Sequence, residues 1–83
     1  MKVQVRYFAS LREALGARQA IDMPAGSTLG ALRDALAASS ERHAQVLARG
    51  RAVRCAQDQR MCGEDTLLVD GAEVAFFPPV TGG

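Results

Sequence analysis

The last ten residues, Val-Ala-Phe-Phe-Pro-Pro-Val-Thr-Gly-Gly, constrain the fold more than any other stretch of the sequence. Val74 and Phe76 occupy alternate positions, as side chains on the buried face of a strand do. Pro78-Pro79 then removes two backbone donors and fixes φ, so strand pairing has to stop there. The sequence therefore predicts a folded domain at residues 1–78 and a projecting, flexible tail at residues 79–83.

A tail that ends in Gly82-Gly83 is suited to entering the active site of another protein. Glycine has no Cβ and passes through a slot too narrow for other residues. From Pro79 the extended chain carries the terminal carboxylate roughly 16 Å from the domain. That carboxylate becomes reactive once it is activated, for example as an acyl-adenylate formed with ATP, and sulfur then converts it to a nucleophilic thiocarboxylate. An inert, frayed terminus is the alternative.

Composition indicates one small globular domain with a modest core. The chain has 83 residues, nearly half of them apolar, and ten basic residues against nine acidic ones. The arginines are spread along the chain, which argues against nucleic-acid binding. Residues 1–10 alternate instead of forming a signal sequence, and no apolar run approaches about 18 residues. We expect a soluble, cytoplasmic protein that does not bind membranes.

Cys55, Cys62 and His43 are the residues to examine for metal or redox chemistry. The two cysteines are seven residues apart and lack the CxxC spacing of zinc and redox motifs, so we expect no metal site. They could face each other across a hairpin, where a disulfide is conceivable, but reduced packing thiols are expected in the cytosol. His43 lies in a polar helical stretch and is predicted to be solvated.

The first third of the chain predicts an antiparallel hairpin with an elaborate connection. Alternation of apolar residues indicates strands at residues 2–8 and 18–23. Between them, Ser10 and Glu13 have the spacing of a capping box, and Gly16 marks the end of a short helix.

The middle of the chain predicts two helical pieces that cover one face of a sheet. Ser27 or Thr28 is suited to cap the first piece, and Ser39-Ser40 separates it from a second piece at residues 41–49. The first piece has an apolar stripe at helical spacing, which we expect to be the main core contact. The stripe consists of Leu29, Leu32 and Leu36.

The last third predicts further short strands. Residues 52–57 and 60–62 flank a turn at Asp58-Gln59, and a loop at residues 63–71 leads into the final strand. The loop is predicted to be held by Leu67, Leu68 and Val69. The long crossover allows the first and last strands to pair in parallel. The predicted class is α+β, with a mixed sheet of about five strands and helices on one face.

The other face of the sheet is predicted to stay open. By strand parity, Phe8, Met61 and Phe77 all point towards it, away from the buried residues. Exposed aromatic side chains beside a projecting tail favour a partner-binding surface over a minor packing cluster.

Two motifs carry a resemblance to a known family. They are Phe-Ala-Ser-Leu-Arg-Glu at residues 8–13, followed by Gly16, and the whole run from Asp70 to Gly83. The sequence resembles the ubiquitin-like β-grasp sulfur carriers, and within them the family of molybdopterin synthase small subunits. The resemblance extends along the whole chain in length and order, and its specific part is the C-terminal run. It implies a ubiquitin-like β-grasp fold.

The resemblance also implies a reaction cycle in molybdenum cofactor biosynthesis. An ATP-dependent, E1-like activating enzyme adenylates Gly83, and a sulfurtransferase converts it to a thiocarboxylate. The tail, comprising Pro79, Val80, Thr81 and Gly82, then enters the large synthase subunit and donates sulfur to cyclic pyranopterin monophosphate. ATP is used by the activating enzyme and no cofactor is bound permanently. The small subunit is then no enzyme by itself, and two small and two large subunits form a heterotetramer.

Three other functions remain open from the sequence. One is sulfur carriage for another pathway, such as thiazole synthesis or transfer-RNA thiolation. A second is protein modification through an isopeptide bond at Gly83, although Lys2 is the only lysine on which the protein could build chains. The third is an interaction domain with an inert tail.

Overall fold

The structure of the protein is a computed structural model, and it describes residues 1–79. Eight elements follow one another in the order β, α, β, α, α, β, β, β. They are β1 Lys2–Tyr7, α1 Ala9–Leu15, β2 Arg18–Asp22, α2 Leu29–Ser39, α3 Glu41–Leu47, β3 Arg54–Gln57, β4 Arg60–Cys62 and β5 Glu73–Phe77.

The strands form one five-stranded mixed sheet in the order β2-β1-β5-β3-β4. β1 and β5 pair in parallel at its centre, with Val5 opposite Val74, and the other three pairs are antiparallel. Alternate residues of the strands join the leucines of the helices in one core. The predicted α+β class, the five strands and the parallel pairing of first and last strands are therefore confirmed.

The connection between β1 and β2 differs from its prediction at one end. α1 begins at Ala9, and its N-cap is Phe8, which makes no side-chain capping bond. The predicted capping box of Ser10 and Glu13 is therefore wrong, because Ser10 lies within the first turn instead of before it. At the other end Gly16 has φ +94°, the conformation that glycine tolerates best, and it ends α1 as predicted.

α2 and α3 begin at side-chain caps. The Thr28 hydroxyl accepts a hydrogen bond from the amide of Ala31 at 3.1 Å, and Ser40 accepts one from the amide of His43 at 3.1 Å. α3 ends at Leu47, earlier than predicted, because Ala48 has extended backbone angles. The predicted stripe is fully buried: Leu29, Leu32 and Leu36 are all 0% exposed.

Arg33 is a buried cation that ties α2 to the end of α3. Its Nε donates to the carbonyl of Leu47 at 2.7 Å, and its Nη2 donates to the carbonyls of Ala48 and Arg51 at 2.9 and 2.8 Å. Its Nη1 donates to Glu64 Oε2 at 2.6 Å. These carbonyls follow the last helical bonds of α3, where backbone acceptors lack helical partners.

The hairpin of β3 and β4 turns through Asp58 and Gln59, both with positive φ, as a two-residue turn requires. The loop that follows differs from its prediction. Leu68 is buried, but Leu67 and Val69 are 62% and 57% exposed, so two of the three predicted loop contacts are wrong. The loop backbone is extended there, and alternation turns only the middle side chain inward.

His43 is half-buried, so the prediction that it is solvated is wrong. Its Nε2 lies 2.8 Å from Gln19 Oε1, and its Nδ1 lies 2.7 Å from the Ser40 hydroxyl. The hydroxyl of Tyr7 donates to the same Gln19 oxygen at 2.7 Å. These contacts join α3 to the first two strands of the sheet.

Candidate functional site

The open face of the sheet holds the three residues predicted to dock a partner. Side chains directly opposite each other in neighbouring strands point to the same face. The register places Arg6, Ala75, Ala56 and Met61 in one row across β1, β5, β3 and β4. Since these positions alternate along their strands with core residues such as Val5, Val74 and Cys55, the row lies on the face away from the helices.

Phe8 and Phe77 lie at neighbouring positions at one end of this face. Phe8 directly follows β1 in extended conformation, and its amide donates to the carbonyl of Phe76 at 3.1 Å. The Arg6 guanidinium lies 5.2 Å from the centroid of the Phe8 ring, so both side chains share the open face. Phe8 is 37% exposed, and Phe77 is partly exposed.

Met61 stands apart from the two aromatic residues. It lies on β4 at the edge of the sheet and is 54% exposed. β3 separates it from Phe77, and Arg54 pairs directly with Phe77. The structure therefore brings Phe8 and Phe77 together and places Met61 two strands away on the same face. We call Phe8, Met61 and Phe77 the docking patch.

Arginines flank the docking patch, a feature that the sequence reasoning missed. Arg6 pairs with Arg18 across β1 and β2, and Arg54 lies beside Phe77. Arg6 forms an ion pair with Glu73 at 3.6 Å, which is solvent-exposed and therefore weak. Strand parity could have predicted the position of Arg6, because Arg6 and Phe8 are two residues apart and therefore lie on the same face of the sheet. The docking patch and its flanking arginines are complementary to a partner surface that is apolar at its centre and acidic at its margins.

β5 delivers the chain to the end of the sheet that carries the aromatic pair. The strand ends at Phe77 and is followed by Pro78 and Pro79, as predicted. Both prolines are partly buried, and Pro78 borders a groove of about 220 Å³ between α1 and α3. The remaining predicted tail residues lie outside the described residues, so their assigned roles stay predictions. They are Val80, Thr81, Gly82 and Gly83.

The titratable side chains with shifted pKa values lie elsewhere. Burial raises the pKa of Tyr7, a core residue, and lowers that of His43, which is half-buried on α3. Within residues 1–79, no three His, Cys, Asp or Glu side chains come together as metal ligands. Nor does any helix of that part of the chain have the length and apolar character needed to cross a membrane. What the open face offers is exposed apolar area next to the point where β5 ends.

Two comparisons of sequence find relatives along the full chain. The model of the ThiS family matches residues 5–83. The chain is also 44% identical over 84 residues to the molybdopterin synthase sulfur carrier subunit of Escherichia coli (strain K12), covering 98% of this chain and 99% of that protein.

Solved structures share the fold. The crystal structure of SAMP1 from Haloferax volcanii aligns with a TM-score of 0.81 and 24% identity over the full length of both chains, which supports the fold alone. A chain of the complex of subunits 1 and 2 of molybdopterin-converting factor from Helicobacter pylori aligns with a TM-score of 0.69 and 26% identity, again over both full lengths. The ubiquitin-like β-grasp fold implied by the resemblance is confirmed.

Proposed function

The chain belongs to the ThiS family, and on that premise we propose that it is a sulfur carrier that serves molybdopterin synthase as its small subunit. The observation that carries the proposal is its 44% identity, over 98% of its length, to a protein named as that subunit. The geometry supports it, because the central strand β5 leads directly past the docking patch towards the Gly-Gly end.

The proposed chemistry takes place at the carboxylate of Gly83. A carboxylate oxygen attacks the α-phosphorus of ATP in the activating enzyme, and pyrophosphate leaves. A sulfur nucleophile supplied by a sulfurtransferase then displaces AMP, which leaves a thiocarboxylate. Gly82 has the role of passing through the narrow entrance of the enzyme, where a Cβ would collide.

The docking patch has the role of holding each partner while the tail reaches its active site. Phe8 and Phe77 supply apolar area at the point where the chain leaves the sheet, and Met61 extends this area to the sheet edge. The chain continues for four residues beyond Pro79, about 13 Å when extended. That reach separates the docking surface from the reacting atom, so binding and chemistry fall on different parts of the chain.

The proposed partners follow from this division. The large synthase subunit receives the tail and supplies the catalytic groups that pass sulfur to cyclic pyranopterin monophosphate. The Helicobacter pylori relative is named as part of a complex of subunits 1 and 2, which supports a large-subunit partner here. The E1-like activating enzyme and the sulfurtransferase use the same tail earlier in the cycle. Two copies of each synthase subunit complete the proposed heterotetramer in the cytoplasm.

Intact-mass measurement tests the proposal. The full chain is incubated with ATP, the activating enzyme and a sulfur donor, and fragmentation locates any change. We expect a mass gain equal to the replacement of one oxygen by sulfur, confined to Gly83. A chain that lacks Gly82 and Gly83 is the matched control and should gain nothing.

The result that would overturn the proposal is an unchanged mass when the same enzyme preparation loads another carrier. A covalent conjugate between Gly83 and a protein lysine, formed without sulfur transfer, would instead favour the modifier function.

A further inference from the structure

Cys55 and Cys62 face each other directly across the antiparallel pair of β3 and β4. Residues opposite each other in such a pair have Cα atoms about 4.5–5.5 Å apart, which lies within the range of roughly 4.4–6.8 Å that disulfides span. The Cys55 thiol donates to the carbonyl of Cys62 at 3.4 Å, so its sulfur is directed towards its partner. Both cysteines are free thiols in the structure.

An open groove of about 490 Å³ gives access to this pair. Both cysteines line it, together with Met61, Gly63 and Glu64. Cys55 is 5% exposed, whereas Cys62, on the edge strand β4, is partly exposed. A small molecule in the groove therefore meets the sulfur of Cys62 before that of Cys55.

We propose that Cys55 and Cys62 form a dithiol site that exchanges with low-molecular-weight disulfides and closes into an intramolecular disulfide, with Cys62 as the entry thiol. In the first step the Cys62 thiolate attacks one sulfur of the small disulfide, forms a mixed disulfide and releases one thiol. In the second step the Cys55 thiolate attacks the Cys62 sulfur and releases the second thiol. The two cysteine sulfurs are oxidised by two electrons in total, and the small disulfide is reduced to two thiols.

The surroundings of Cys55 make the closing step dependent on pH. The pKa of Cys55 is raised to about 11 in the reduced protein, with burial as the largest cause, Cys62 and Glu64 adding to it and Arg33 opposing it. In the mixed disulfide Cys62 carries no charge, so burial is then the main cause that keeps the pKa of Cys55 high. Only the thiolate attacks a disulfide. The rate of closure should therefore rise about tenfold for each unit of pH until the pH approaches that value.

The thiol chemistry of this site does not depend on the proposed sulfur carriage, because it uses neither the tail nor Phe8 or Phe77; Met61, which borders the groove, is the one residue that it shares with the docking patch. The test is incubation of the reduced, full-length protein with oxidised glutathione, followed by acid quenching, intact mass measurement and peptide mapping. We expect the loss of two hydrogens and a cross-linked peptide that joins Cys55 to Cys62. Addition of a reducing thiol should restore the original mass.

Two variants separate the steps. Cys55→Ser should accumulate a stable glutathione adduct on Cys62. Cys62→Ser, or Cys62→Ala if the serine variant does not fold, should form adducts at least about tenfold more slowly, because only a buried thiol remains. Three results would overturn the proposal: a wild-type protein that stops at the adduct, one that forms only disulfide-linked dimers, or one that does not react.

Discussion

Arg33 Nη1 and Glu64 Oε2 form an ion pair at 2.6 Å that joins α2 to the loop after β4, with the arginine side chain 6% exposed. Burial by itself raises the pKa of Glu64, but hydrogen bonds from Arg49 and Arg33 outweigh it and hold this pKa below its usual value. The pair is one of four contacts of Arg33, the others being carbonyls at and after the end of α3. A single side chain thus holds together three separate segments.

Replacing this arginine should destabilise the fold strongly. Arg33→Met removes four hydrogen bonds and leaves Glu64 with Arg49 alone as its cation, and we expect the free energy of unfolding to fall by about 3 kcal/mol. Urea denaturation measures the change. Arg42→Met, an exposed arginine on α3, is the matched control and should change stability by less than about 0.5 kcal/mol. Equal effects of the two substitutions would show that the contacts of Arg33 contribute nothing.

Alanine substitutions at Thr28 and at Ser10 should differ in their effect on stability, because only Thr28 caps its helix. Thr28→Ala removes the acceptor for the amide of Ala31 and should cost about 1 kcal/mol. Ser10→Ala should cost less than about 0.5 kcal/mol, because α1 has no side-chain cap. Thermal or urea unfolding of both variants tests this order. A larger loss of stability for Ser10→Ala would support the capping box instead.

Stability should fall at mildly acidic pH through His43. Burial lowers its pKa in the folded protein below the value of about 6.5 found in unfolded chains. Between these two values the unfolded chain binds more protons, so stability decreases as the pH falls from about 6.5. His43→Gln should flatten this part of the pH profile of the urea midpoint. Glu64 affects stability only below about pH 4.5, where it becomes protonated and its ion pairs with Arg33 and Arg49 are lost. A profile that the variant leaves unchanged between pH 5 and 7, roughly the histidine range, would exclude His43 as its cause.

Phe77→Asp should weaken binding to the large synthase subunit at least about tenfold, because it places a carboxylate in the apolar centre of the docking patch. Calorimetric titration measures the affinity, and circular dichroism verifies the fold. Leu67→Asp is the matched control: Leu67 is also an exposed hydrophobic residue, but it lies on the loop beside the start of α2. If both substitutions weaken binding equally, the docking patch is not the binding surface.

Gly83→Ala should leave the fold intact and reduce sulfur loading by the activating enzyme at least about tenfold. One added methyl group in a closely fitting slot costs on the order of 1–3 kcal/mol. The rate of thiocarboxylate formation, followed by intact mass, measures the effect. Gly71→Ala controls for the loss of a glycine; it strains a turn at φ +79° and should lower stability without changing the loading of folded protein. Equal loading rates for Gly83→Ala and the wild type would show that no closely fitting slot around Gly83 contributes to activation.

Local periodicity accounts for the parts of the fold and site that the sequence predicted. The period of two in β1 and β5 was sufficient to place Phe8 and Phe77 on one face, because parity does not depend on distant contacts. The apolar stripe of α2 was equally local. Ser27 or Thr28 was predicted as the cap because both directly precede that stripe, and the structure shows that it is Thr28.

Some errors were local, such as the capping box of Ser10 and Glu13, and others concern contacts between residues far apart in sequence. His43 meets Gln19 across 24 positions, and nothing in the polar stretch around it reports that neighbour. Arg33 is different, because it lies four residues after Leu29 and three before Leu36, on the buried side of the stripe. A charged residue at a buried position requires hydrogen-bond partners, so the sequence could have predicted that Arg33 binds buried acceptors.

The parallel pairing of β1 with β5 places the first and last strands at the centre of the sheet. Contacts between residues so far apart in sequence form late in folding, because they require the entropic cost of closing the long intervening chain. On the ribosome, the sheet has no centre until residues 73–77 have been made. A chain that stops before them therefore lacks the strand that joins its two halves and should be degraded as an unfolded polypeptide, so that assembly of the domain is coupled to synthesis of the segment that leads into the tail.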